Sequence, residues 1–155
     1  MNNTDELFNK ALSFVLKWEG GYVNNPSDKG GATNRGITQY TYNAWLKSLG
    51  LAQKDVRFIS NDEVKQIYYK NYWKKAGCDR MSSKFAVLAF DTAVNMGLAR
   101  VNQFMKAASW KYPDKFIEAR RAKYHEFAKY GNQKIFLQGW LNRLNDLEKF
   151  IHSIL

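Results

Sequence analysis

The chain has 155 residues, 45% hydrophobic and 25% charged, an ordinary globular composition that suits one compact domain. Its formal charge of +10 is spread along the sequence, which favours anionic partners without choosing among nucleic acid, lipid headgroups and wall polymers. A single cysteine, Cys78, excludes an internal disulfide and reads as a small half-buried residue; no Cys/His group has metal-ligand spacing, so no metal is expected.

The first helix is read from Leu7, Phe8, Ala11, Phe14, Val15 and Trp18, which recur at the helical period. Asn3 or Thr4 can cap it, and Gly20-Gly21 stop it, so Glu19 falls in its last turn. Residues 20–37 then break the pattern: they hold five of the ten glycines and one of the two prolines, and they demand turns. Tyr22-Val23 and Gly36-Ile37-Thr38 are the candidate strands of a small β-hairpin. A stretch this long between helices is more than a plain connection.

From there the sequence reads as helices. Thr38 caps one bearing Tyr42, Trp45, Leu46 and Leu49 and closed by Gly50. Ser60 and Glu63 form a capping-box pattern that opens a helix with Val64, Ile67, Tyr68 and Tyr72, ending near Lys74 to Gly77. Residues 83–96 are apolar nearly all round and predict a buried central helix. Leu98 to Trp110 predicts another, and Pro113 opens the next, which runs to Gly131. The last runs from about Gln133, with Phe136, Leu137, Trp140, Leu141, Leu144, Leu147 and Ile151 on one face. The expected fold is mainly α, with one glycine-rich excursion after the first helix. No repeat is visible.

A glycosidase needs one carboxylic acid that stays protonated near neutral pH, and a second group that holds a water or attacks as nucleophile. Glu19 suits the first role. It follows Trp18 at a helix C-terminus, where the dipole disfavours a carboxylate, and glycines behind it let a sugar chain approach. Position alone also allows an ordinary surface glutamate ending a helix. Asp28, with Thr33 and Asn34 after it, can hold a water across the hairpin; Asp28 can equally be a turn residue in Pro-Ser-Asp-Lys-Gly.

Glu19-Gly20-Gly21-Tyr22, then Asn25-Pro26, Asp28, Gly30-Gly31-Ala32-Thr33-Asn34 and Gly36-Ile37-Thr38, resemble the signature of glycoside hydrolase family 108, a group of lysozyme-like N-acetylmuramidases that includes phage endolysins and secretion activators. The family's catalytic glutamate falls on Glu19. Phe90 to Gly97 and Gln138 to Arg143 resemble its C-terminal region, often described as a predicted peptidoglycan-binding domain. The resemblance therefore implies a lysozyme-like helical fold, with a catalytic lobe over 1–92 and a C-terminal lobe over 93–155 in one compact unit. A looser likeness to family 24 lysozymes implies a Glu/Asp/Thr site. Glu19 and Asp28 match that spacing, whereas Thr33 comes one residue early and the pattern falls on Asn34; a single dominant glutamate is the alternative.

The expected activity is hydrolysis of the β-1,4 bond between N-acetylmuramic acid and N-acetylglucosamine, with Glu19 as acid, Asp28 and Thr33 as its helpers, and inversion at the anomeric carbon. A non-catalytic wall-binding or secretion-accessory protein is the competing expectation. Tyr22, Asn34, Asp91 and Asn95 are the candidate sugar-binding residues, although Asp91 and Asn95, at i and i+4 of a buried helix, equally suit a polar pair satisfied inside the core. Trp140 is expected in the core and Arg143 in a buried ion pair. No cofactor is expected, nor nucleic acid, nor stable membrane insertion, and the protein is expected to be a monomer. The polar, acidic start lacks a signal peptide's basic-then-apolar order, so cytoplasmic synthesis and holin-released or non-standard export to the wall are expected.

Overall fold

The structure is a computed structural model that describes residues 3–27 and 29–154, with side chains from residue 6 onward. Among the described residues it has seven α-helices and one two-stranded antiparallel sheet, the mainly α architecture that the sequence predicts. Its contacts divide the chain into two units, one of residues 12–71 and one of 1–11 with 72–155. The division expected between 92 and 93 would cut α4 (Ser83–Met96), an unbroken helix buried over Phe85 to Ala93, so no boundary forms there.

Unit 12–71 contains most of α1 (Asn3–Glu19), the hairpin β1 (Thr33–Asn34) and β2 (Ile37–Thr38), α2 (Gln39–Ser48) and α3 (Asn61–Tyr68). The predicted start of α2 is present: Thr38 accepts the Thr41 N–H at 3.1 Å. So is the capping box of α3, where the Ser60 hydroxyl accepts from the Glu63 N–H and the Glu63 carboxylate from the Ser60 N–H. The caps expected at Asn3 or Thr4 lie outside the described side chains.

The hairpin differs from expectation. Residues 36–38 do not pair with 22–23; Thr33-Asn34 lies between them. Thr33 opposes Thr38 in the sheet and forms an isolated bridge to Val23, with Val23 N–H to Thr33 carbonyl at 2.7 Å and the return bond at 2.8 Å. The turn is Arg35-Gly36, at φ 54° and 80°, the doubly positive pattern of a two-residue hairpin.

The other unit is a helical bundle of α4, α5 (Leu98–Ala107), α6 (Pro113–Phe127) and α7 (Leu137–His152). Phe8, Trp73 and Phe90 meet edge to face, and Phe85 and Phe104 pack against Phe116. Trp140 stacks on Tyr124 with ring centroids 5.3 Å apart. Cys78 is buried at 2% exposure rather than half-buried, and burial pushes its thiol pKa up to about 12. No described helix is long and apolar enough to cross a membrane.

Candidate active site

Glu19 is the last residue of α1, half-buried, and Gly20 at φ 74° turns the chain away from it. The tip of the β1–β2 hairpin closes on this glutamate. A Cβ built on Gly36 would lie 3.0 Å from Glu19 Oε2 and 3.2 Å from Glu19 Cβ, and would overlap the Tyr68 hydroxyl. Only glycine fits there, both for space and for its positive φ.

Tyr68, the last residue of α3, is fully buried and donates its hydroxyl to the Arg35 carbonyl at 2.7 Å. The Arg35 guanidinium in turn hydrogen-bonds Asn61, the first residue of the same helix. Unit 12–71 thus brings Glu19 together with Gly36 of the signature and with Arg35 and Tyr68, two residues that the sequence did not single out as functional. Tyr68 lies on the apolar stripe of its helix and reads as core. The one signal it gives is its hydroxyl, since a buried tyrosine needs a partner that a phenylalanine does not.

Tyr22 is half-buried. The exposed Arg57 guanidinium lies 4.7 Å from its ring centroid, and Nη2 donates to its hydroxyl at 3.3 Å. Asn34 is committed to its own fold: its amide donates to the carbonyls of Val56 and Arg57, both at 3.1 Å. Gln39 works beside it, accepting from the Val56 N–H and donating to the Lys54 carbonyl, both at 2.7 Å. These two amides fix a segment that has no regular structure except the 3-10 turn Val56–Phe58, and so place Arg57 at Tyr22. Thr33 holds its place through main-chain bonds on both sides, and Asp28 lies outside the described residues.

Asp91 and Asn95 belong to the other unit, and the expected cleft-lining role does not suit Asp91. It is fully buried between two guanidiniums, at 2.8 Å from Arg120 Nη2 and 2.8 Å from Arg143 Nη2. Desolvation opposes its charge, yet the two arginines hold its pKa below the ordinary carboxylate value. Arg120 also donates to Thr92 at 2.9 Å, and Tyr124 donates to Asn95. Asp91 thus meets two guanidiniums, and the half-buried Asn95 meets a tyrosine hydroxyl. Among the described residues one group, Asp114, Glu148 and His152, places three metal-capable side chains together, but Asp114 and His152 are exposed and form an ordinary surface pair at 3.6 Å.

Comparison with known proteins adds to this geometry. The family described as glycosyl hydrolase 108 matches residues 12–97, a span that includes Glu19, the hairpin and α3. A solved structure titled as that of Brucella abortus SagA superposes with a TM-score of 0.76 at 27% identity, covering 96% of this chain and 95% of that one. No curated protein sequence matches. The family match and the mainly helical, lysozyme-like fold define the class, a glycoside hydrolase. The chain belongs to glycosyl hydrolase family 108, a lysozyme-like family of peptidoglycan hydrolases.

Proposed function

We propose that the protein is an N-acetylmuramidase that hydrolyses the β-1,4 bond between N-acetylmuramic acid and N-acetylglucosamine, with Glu19 as general acid. The observation that carries this reading is the seat of Glu19: a half-buried carboxyl at a helix C-terminus, against a hairpin turn whose second position only glycine can fill. Glu19 gives its proton to the departing glycosidic oxygen as the bond to the anomeric carbon breaks. A water adds its hydroxyl to that carbon from the opposite face and gives up its own proton to a base.

Thr33 and Asp28 are the residues proposed to hold that water, in an inverting scheme. Tyr22 contributes a ring to the sugar chain, and Arg57, stacked on it, adds a positive charge suited to the carboxylates of the wall polymer. Asn34 serves the site through the loop it clamps, and its carbonyl oxygen is the end left for a sugar hydroxyl. Asp91 and Asn95 serve the bundle. The protein acts as a monomer at the cell wall.

The test is reducing-end release from isolated peptidoglycan, with mass analysis of the products. Wild type should yield muropeptides ending in N-acetylmuramic acid, and Glu19→Gln none. Binding without release by wild type would instead establish a non-catalytic wall-binding protein.

A further inference from the structure

We propose that Tyr68 is the positioning residue of Glu19: by holding the Arg35 carbonyl, it pins the hairpin tip that fixes the glutamate's orientation. This rests on the reading of Glu19 as the general acid. The β1–β2 hairpin has two residues in each strand, and its ladder alone is too short to hold a tip rigidly. Its turn also places Arg35, a residue with a Cβ, at positive φ. Something outside the ladder has to hold such a tip in place, and α3 supplies it at both ends. Asn61 takes the Arg35 guanidinium and Tyr68 takes the Arg35 carbonyl. The capping box at Ser60 and Glu63 fixes where α3 begins, so the two anchors keep a set spacing.

The consequence falls on Glu19. The Tyr68 hydroxyl, Glu19 Oε2 and Glu19 Cβ all converge on the missing side chain of Gly36. The turn backbone is therefore a wall against the glutamate, and Tyr68 decides where that wall stands. A general acid must present its proton along one line to the glycosidic oxygen, and a misplacement of about 1 Å can cost about a hundredfold in rate. Because the Tyr68 hydroxyl never reaches the sugar in this scheme, its loss should act on turnover and leave binding alone.

The experiment compares Tyr68→Phe with Tyr124→Phe. Tyr124 is the control: it is also a buried tyrosine, but it belongs to the helical bundle, where its hydroxyl bonds Arg120 and Asn95. Each variant removes one hydroxyl oxygen and keeps the ring. Initial rates on soluble glycan strands and thermal unfolding are measured for both, beside Glu19→Gln. Tyr68→Phe should lower kcat by about tenfold or more with KM within about twofold, while Tyr124→Phe loses Tm and keeps wild-type kcat. Wild-type kcat in folded Tyr68→Phe, with Glu19→Gln inactive, would sink the proposal and leave Glu19 standing. Full activity in Glu19→Gln would remove both. If Tyr68→Phe does not fold, Asn61→Ala frees the same turn at its exposed anchor. A fall in kcat there supports the proposal and wild-type kcat overturns it.

Discussion

Two acidic residues of this chain are held in opposite ways. Glu19 is half-buried at a helix end, whereas Asp91 is sealed between Arg120 and Arg143. Removing the charge of Asp91 would take from two buried guanidiniums the carboxylate that they share. Asp91→Asn should therefore destabilise the fold by about 3–5 kcal/mol, read from urea unfolding, without changing the chemistry at Glu19 in the molecules that remain folded. The same contact predicts a pH dependence. The folded pKa of Asp91 lies below the unfolded value of about 3.9, so its contribution is complete above that value and is lost as pH falls through the folded pKa. Below pH ~4 wild type should lose Tm faster than Asp91→Asn, and parallel acid profiles of the two would contradict this. Asn34 allows a sharper substitution. Asn34→Asp keeps the shape but turns an acceptor toward two carbonyls, and should cost about 1–3 kcal/mol. Unchanged stability would mean that the clamp on residues 56–57 carries no weight.

At the scale of elements, what the sequence reveals depends on how far each signal reaches. Helices with long apolar stripes and local caps were legible, because periodicity and capping are decided within a few residues. Thr38, the Ser60/Glu63 box, Pro113 at the first turn of α6 and the stop of α1 after Glu19 all stand where the sequence places them. The hairpin was legible only as a place. Two-residue strands have no period to detect, so the pairing of Val23 with Thr33, and of Thr33 with Thr38, was not written in any pattern. The π-helical turn Tyr69–Lys74 and the 3-10 turns Val56–Phe58 and Cys78–Arg80 were hidden for the same reason. At the site, the glutamate and its glycines announced themselves by motif. Tyr68 did not, because its role is set by Arg35, thirty-three residues away. The capping box invites a direct check. Ser60→Ala removes the acceptor for the Glu63 N–H and should cost ~1 kcal/mol in stability. Because α3 carries both anchors of the hairpin tip, kcat should fall along with it if the start of the helix frays; stability lost at constant kcat would show the anchors to be independent of that end.

At the scale of the whole molecule, the dominant property is the charge of +10. Part of the basic surface is neutralised locally, as in the Lys74–Asp79 and Lys123–Glu126 pairs, but Lys and Arg outnumber Asp and Glu by 24 to 14. Such an excess draws the protein onto an anionic polymer through a long-range field, and salt shortens that field from roughly 30 Å at 0.01 M to 3 Å at 1 M. The general acid proposed at Glu19 acts at contact distance, where screening by salt is weak. The two effects are separable on insoluble, anionic wall material. Raising salt over that range should weaken adsorption and lower the rate at limiting substrate, while the rate at saturating substrate holds within about twofold. Short glycan fragments, which carry few charges, should show a much weaker response. If saturating rates fall with salt as steeply as adsorption does, the charge acts within the catalytic step, and a wall-docking role for the basic surface would have to be abandoned.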